Sequence, residues 1–374
     1  MADDLLKYQI GINQIKGIGP HLAKNLIAYL GGVEAVFTEK RNTLAKIPGI
    51  GEVLSKEITS QDVLKRAEKE IEFIEKNKIE THFYTQKSYP YRLKECADSP
   101  VMLYYKGKKN LNEGKFIGIV GTRKATDAGK DICKQIVTDF SSKLAKVTIV
   151  SGLAYGIDIY AHKASCEVEL PTIGVLGHGL DRIYPGAHRS TAVKMLEKGG
   201  LLTEFMSETN PNKQNFVQRN RIIAGMCDAL IVVESGRKGG ALITAELSND
   251  YNRDVFAVPG RIGDEYSAGC NLLIKQNRAS LIESADDVIR FMNWEENSNL
   301  DKRNETIQTA LFEQLTDEEQ GIVSILRQHS EGININELSV LLKMPFSQLS
   351  SKLLDMEFRG LVKCLPGGMY RVVR

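Results

Sequence analysis

Residues 116–124 read Phe116-Ile-Gly-Ile-Val120-Gly121-Thr122-Arg123-Lys124. An apolar run that stops at a small-residue turn carrying cations is the pattern of a buried strand handing over to a helix. The pattern recurs along the chain at Thr148–Val150, Thr172–Leu176, Leu201–Glu204, Ala229–Val233, Val255–Val258 and Ser280–Ile282, with amphipathic helical stretches between most of these runs. Such alternation predicts an α/β fold, a Rossmann-like doubly wound and mostly parallel sheet.

In a sheet of this kind ligands sit beyond the carboxyl ends of the strands. The loops expected there are Gly121-Thr122-Arg123-Lys124, then Ser151-Gly152-Leu-Ala-Tyr-Gly156-Ile-Asp158, then Gly177-His178-Gly179. Each joins small residues to a helix start, which can hold an anion by backbone N–H groups. Taken together they predict an anionic ligand.

The next segment, Asn210-Pro-Asn-Lys213-Gln-Asn-Phe216-Val-Gln-Arg219-Asn-Arg221, surrounds one aromatic residue with three cations. Cations neutralise phosphates, and a base stacked on an aromatic ring contributes about 1–3 kcal/mol without requiring a particular sequence. The competing reading puts Phe216 in the core, but its neighbours Lys213, Gln214, Asn215, Gln218 and Arg219 offer little apolar surface to pack beside. Single-stranded DNA is therefore the expected ligand. Glycine-rich turns at Gly236-Arg237-Lys238-Gly239-Gly240 and Pro259-Gly260-Arg261 place further cations beyond strand ends, where Lys238 and Gly240 join the candidate site; Arg237 and Arg261, each taken alone, read as solvated loop charges.

Composition sets the outer limits. A chain of 374 residues with 42% hydrophobic and 26% charged residues reads as a soluble globular protein of two or three domains. No apolar run approaches the roughly 20 residues of a membrane span. The start, MADDLLKYQIG, is acidic and lacks the features of a secretory signal, which predicts a cytoplasmic protein. The net charge of +2 offers no global basic field, so a nucleic-acid site has to be local. Six cysteines without a C-x-x-C pair predict free thiols, and the histidines do not group at metal-ligand spacing. ATP-binding, dinucleotide, zincin and serine-hydrolase motifs are missing. No metal and no cofactor is expected.

Two smaller domains flank the core. Near the start, Ile12 to Ala23, with Gly17-Ile18-Gly19, is echoed at an offset of 32 residues by Leu44 to Ser55, with Gly49-Ile50-Gly51. This resembles a tandem helix-hairpin-helix, and together with a charged helix from about Gln61 to Lys78 it makes a helical, SAM-like domain over residues 1–78. The core then spans 79–292. Residues 293–315 read as a polar linker, and 316–374 as a winged helix: a capping box at Thr316-Asp-Glu-Glu319, three helices and a hairpin turned by Pro366-Gly367-Gly368. Seven Lys/Arg against six Asp/Glu in residues 1–60, and seven of each in 317–374, give neither flanking domain a strong electrostatic case for DNA.

The ordered motifs resemble those of the bacterial DNA-processing protein A family, DprA/Smf. They are Tyr89-Pro90, Gly121-Thr122-Arg123, Ser151-Gly152 through His162, Tyr184-Pro185, Phe216-x-x-Arg219-Asn-Arg221 through Gly225, Leu242-Ile-Thr244-Ala245 and Val258-Pro259-Gly260. The resemblance covers nearly the whole chain. It implies a non-catalytic protein that binds and protects incoming single-stranded DNA, usually as a homodimer, and loads the RecA recombinase during natural transformation. By motif position it puts the DNA-contacting arginine on Arg123, the lysine on Lys213 and the stacking ring on Phe216, with Arg219 and Arg221 in the same basic pocket. Two departures stand out: Gly239-Gly240-Ala241 where the family usually has Ser-Gly before Leu-Ile-Thr, and Asn277-Arg278-Ala279 after a late helix. The rival from another class is a nucleotide phosphoribohydrolase of the LOG type. Gly239-Gly240 and Glu246 keep the ends of its motif, but Leu242-Ile243 and Lys238 break the phosphate-binding turn.

Overall fold

The computed structural model describes residues 2–60, 63–294, 316–329, 332–359, 361–365 and 368–372. They divide into two compact units, one ending at Trp294 and the other beyond it. Of the expected linker, residues 295–315 lie outside the described residues, as do Pro366 and Gly367 of the expected hairpin turn.

All seven strands expected from apolar runs form, and form side by side. They are β3 (Lys115–Val120), β4 (Val147–Ser151), β5 (Thr172–Val175), β6 (Gly200–Thr203), β7 (Ala229–Val232), β8 (Asp254–Ala257) and β9 (Ser280–Leu281). The sequence pattern did not reveal two further strands, β1 (Glu80–Phe83) and β2 (Met102–Gly107), which extend the sheet at one edge. The sheet order is β1-β2-β6-β5-β4-β3-β7-β8-β9. Pairing is parallel from β6 to β9, with Ile117 opposite Ile149 and Ala229, while β2 runs antiparallel to β6 and β1 to β2. Continuous apolar runs suit these central strands because helices cover both faces, leaving no solvent side to be polar.

The helices between them are α8 (Asp127–Lys143), α9 (Ile157–Glu167), α10 (Arg189–Met195), α11 (Lys213–Met226), α12 (Gly240–Asp250), α13 (Ala268–Lys275) and α14 (Ala285–Phe291). The chain leaves β3 towards β4 on one side and reaches β7 on the other, so the switch point lies between β3 and β7. The loops after those two strands flank the crevice that ligands use in such sheets.

Ahead of the sheet come α1 (Ala2–Ile12), α2 (Pro20–Leu30), α3 (Val33–Thr38), α4 (Arg41–Leu44), α5 (Gly51–Ser60) and α6 (Val63–Asn77), with the short α7 (Tyr91–Lys94) between β1 and β2. The two Gly-Ile-Gly turns interlock. Gly17 and Gly49 both adopt positive φ, and a Cβ on either would crowd a leucine of the other repeat, Leu54 at 2.9 Å and Leu22 at 3.0 Å. Only glycine meets both demands. These helices share one apolar cluster with Met102, Tyr104 and Met206 of the sheet region. A buried carboxylate ties them further: Glu70 accepts hydrogen bonds from Arg66 Nη1 at 2.9 Å and from Ser207 N at 2.9 Å.

In the second unit, helices Asp317–Gln328, Ile335–Leu342 and Phe346–Phe358 accompany a small sheet of β10 (Ile333–Asn334), β11 (Val362–Leu365) and β12 (Met369–Val372), ordered β10-β12-β11. The expected capping box is present: Glu319 Oε2 accepts from Thr316 N at 2.8 Å. The exposed residues of helix Phe346–Phe358 include Phe346, Leu354 and Phe358.

None of the six cysteines forms a disulfide; four are buried, Cys166 is half-buried and Cys364 is exposed. Among the described residues no group of histidine, cysteine and acidic side chains is arranged to hold a metal, and no helix is long and apolar enough to cross a membrane.

Candidate nucleic-acid interface

The loop after β3 is fixed by its backbone and presents its cations outward. Thr122 N donates to Glu234 O at 2.7 Å, and Thr122 O accepts from Ile157 N at 3.1 Å. Gly121 has no room for a side chain between Ile157 and the Glu234 backbone. Gly121 and Thr122 are thus spent on geometry, and the exposed residue they aim is Arg123. Its guanidinium carbon stands 6.0 Å from the centre of the Phe216 ring.

Phe216 lies in the first turns of α11, whose first residue is the exposed Lys213 and whose N-cap Asn212 accepts from Asn215 N at 2.8 Å. The Phe216 ring is half-buried and backed by Gly177, where a Cβ would come within 2.7 Å of it. Tyr184 stacks on the same ring with centroids 5.8 Å apart and an interplanar angle of 28°. The structure therefore brings Arg123 to Phe216, which follows Lys213 on the same helix, and adds Gly177 and Tyr184. Tyr184 was quoted above only as part of a Tyr-Pro motif; its exposed ring could not be told from a packed one by sequence.

Arg219 and Arg221 correct the expectation that they line the open pocket. Arg219 is only 3% exposed and donates from Nη1 to Val175 O at 2.5 Å. Its guanidinium lies against Gly152, which has no space for a Cβ beside it. Arg221 is 8% exposed, paired with the buried Glu204 and bonded to Asp98 O at 2.6 Å. Burying an arginine demands internal partners of this kind; two engage the Arg221 guanidinium, while Arg219 has one and its Nε is left without a partner.

The turn after β4 is likewise filled. Ser151 Oγ donates to Ile119 O at 2.6 Å, and Gly152 N donates to the Asp158 carboxylate at 3.1 Å. The amide expected to grip a phosphate thus already holds an internal anion. Burial raises the Asp158 carboxyl above its ordinary range, while Arg219 pulls it back. Burial also lowers Arg219 to about 10, with Asp158 opposing and Arg123 adding to the shift. Arg219 remains a cation at neutral pH, beneath the floor of the edge.

A third internal anion occupies the start of α8. Glu234 accepts from Thr126 N at 3.0 Å and from Thr126 Oγ1 at 2.5 Å, while Thr126 caps the helix by accepting from Gly129 N at 3.0 Å. In a dinucleotide enzyme that helix start would meet the pyrophosphate.

The turn after β7 differs. α12 begins at Gly239-Gly240 with neither a side-chain cap nor an acidic residue in its first turn. A Cβ on Gly240 would have its nearest neighbour at 3.7 Å. Arg237 and Lys238 are exposed in this turn, and Arg261 is exposed in the following one. The two turns are joined by Ser235 N donating to Tyr266 O at 2.6 Å. Glu246, which kept the end of the hydrolase motif, pairs with Arg278 at 3.0 Å and so is engaged two turns along α12. His162 and His178 are fully buried, with Nδ1 of His162 on Thr172 Oγ1 and Nδ1 of His178 on Gly179 O.

Comparison with known proteins gives this arrangement its relatives. Residues 80–293 match the model for "DNA recombination-mediator protein A", residues 11–61 that for the SAM-like helix-hairpin-helix tandem, and residues 308–368 that for the DprA winged helix domain. Protein Smf of Synechocystis sp. is 36% identical over 298 residues, covering 77% of this chain and 73% of that one. DNA processing protein DprA of Bacillus subtilis is 42% identical over 211 residues, covering 56% and 70%. The X-ray structure of DprA from Streptococcus pneumoniae superposes with a TM-score of 0.66 at 32% identity, covering 76% of this chain and 97% of that one. A Helicobacter pylori DprA structure, described for its single-stranded DNA binding mode, gives a TM-score of 0.52 at 26% identity, covering 57% and 95%. With the core, the helical N-terminal region and the winged helix all matched in order, the chain belongs to the DprA/Smf family of DNA recombination-mediator proteins.

Proposed function

We propose that this protein is a non-catalytic cytoplasmic binder of single-stranded DNA that holds the strand along the carboxyl edge of its sheet and passes it to a RecA-type recombinase during DNA uptake. The observation that carries the reading is the cluster of Arg123, Lys213 and Phe216: two exposed cations flanking an aromatic ring that the core has not swallowed. Neither cation is committed to an ion pair among the described residues. An unpaired surface cation is free to displace the counterions of a phosphate, and the ring face is tolerant of base identity.

The roles of the remaining residues follow from their surroundings. Gly121 and Thr122 shape the loop. Lys238, Gly240 and the uncapped start of α12 take a neighbouring phosphate. Arg219 acts from below: a buried cation next to Arg123 raises the local potential without touching the strand. Ser151, Gly152 and Arg221 support the fold of this edge.

The homodimer and the recombinase are also proposals. The dimer is supported by β9, which ends the sheet with one side unpaired among the described residues, beside the exposed Leu281 and Phe291 and a groove of about 410 Å³. The recombinase is supported by the family description as a recombination mediator.

The deciding experiment is a salt-titrated binding assay with an oligo-dT strand, a duplex of equal length and a mononucleotide. Tight, salt-dependent binding of the single strand alone is expected, with a slope near 0.7 for each phosphate neutralised. Equal affinity for the duplex, or conversion of the mononucleotide, overturns the proposal.

A further inference from the structure

We infer that Tyr184, rather than Phe216, presents the ring on which an unpaired base stacks, with Phe216 as the layer beneath it. The inference rests on the single-strand reading of this edge and assigns it a contact residue. Phe216 is already surrounded: Gly177 backs it, Arg123 lies over it and Tyr184 stacks on it. Tyr184 is the outer ring, 48% exposed, and its hydroxyl has no hydrogen-bond partner among the described residues.

The ring is displayed on a stiff loop. Its neighbour Ile183 packs into an apolar cluster with Leu153, Leu176 and Leu201, and Pro185 is buried. Arg182 donates to Asn210 Oδ1 at 2.6 Å and to Asp181 Oδ2 at 2.9 Å, while Asp181 Oδ1 accepts from Glu208 N at 3.0 Å. A large ring held in place, resting on Phe216, half exposed and without a hydrogen bond of its own, is arranged to receive a flat apolar face. An unpaired nucleobase has such a face, whereas each base inside a duplex already stacks on both sides. Tyr184 thus supplies selectivity for single strands, which the cations alone cannot do.

The test measures binding of a fluorescent oligo-dT, and of an abasic strand of equal length, to wild type, Tyr184→Ala, Tyr184→Phe, Phe216→Leu, Arg123→Ala and Lys213→Ala, with folding checked by circular dichroism. Tyr184→Ala is expected to weaken oligo-dT binding by about 5- to 100-fold with an unchanged salt slope, and to leave abasic binding unaltered. Tyr184→Phe should stay within about threefold of wild type, since it keeps the outer ring, and Phe216→Leu, which keeps an apolar support, should lose less than Tyr184→Ala. Full affinity in Tyr184→Ala, alongside a loss in Phe216→Leu, returns the contact to Phe216 and overturns the assignment. Wild-type affinity in Arg123→Ala and Lys213→Ala instead removes the single-strand reading itself, and this inference with it. Fluorescence gives an independent readout. The protein has one tryptophan, Trp294, whose ring lies 5.9 Å from Lys115 Nζ at the opposite end of β3 from Arg123. In Tyr184→Trp the added fluorescence should be quenched by oligo-dT; saturation without quenching counts against stacking.

Discussion

The turns after β4 and β7 are made of similar material, small residues leading into a helix start at the same edge of one sheet, yet they reach opposite states. At Ser151–Asp158 the amide of Gly152 is taken by Asp158, and Arg219 lies against the glycine from below. At Ser235–Gly240 the helix start is uncapped, Gly239 and Gly240 are exposed, and the cations point to solvent. A protein can satisfy a helix start with its own carboxylate or leave it for a ligand's anion. Here the turn after β4 is closed from within and the turn after β7 is left open.

The sharpest way to break this contrast is Arg219→Ala. It removes the bond to Val175 O and the cation that offsets the burial of Asp158, and should cost about 3 kcal/mol in urea unfolding. Stability within about 0.5 kcal/mol of wild type would mean that the β4 turn does not depend on this buried cation. Gly152→Ala should cost about 1–3 kcal/mol by forcing the Arg219 guanidinium aside.

Acid adds a further test of the closed side. His162 is pushed down to about 3, chiefly by burial, with Arg219 and His188 adding to the shift. Its folded value lies below its unfolded one, so its contribution is intact above about pH 6.5 and declines as the pH falls towards 3. Between pH 7.5 and 5.5 the loss should be about 1.4 kcal/mol, and urea melts of His162→Gln should show a correspondingly flatter pH profile.

At Arg123 and Lys213 the effects move from stability to affinity. Arg123→Ala and Lys213→Ala should each weaken single-strand binding about five- to tenfold at low salt and lower the salt slope by about 0.7, with unfolding unchanged within about 0.5 kcal/mol. The smallest effect belongs to Gly240→Ala, which has space for its methyl group and should unfold within about 0.5 kcal/mol of wild type. A large stability loss there, matching Gly152→Ala, would erase the contrast between the turns.

Composition and periodicity carried the parallel strands because each is a short apolar run bounded by turn residues. They missed β2, where Met102-Leu-Tyr-Tyr105 is as apolar as any central strand but precedes the strand-helix alternation that drew attention. The exposure of Arg123 and Lys213 could be read from residue type because exposure is the default for a cation. Arg219 and Arg221 could not, since what decides their burial is an anion far away in the chain: Asp158 lies 61 positions before Arg219, while Glu204 precedes Arg221 by 17. Glu234 was hidden for the same reason, its partner Thr126 being 108 residues distant. Charge type is local information; charge pairing is a property of the folded arrangement.

The shared apolar cluster between the N-terminal helices and Met102, Tyr104 and Met206 bears on how the chain can be divided. A fragment cut at residue 78 would keep every strand of the sheet but uncover a greasy face, together with the Ser207 groups that Glu70 now satisfies. Such a fragment should be prone to aggregation, whereas a cut after Trp294 follows the boundary between compact units and should yield a well-behaved protein.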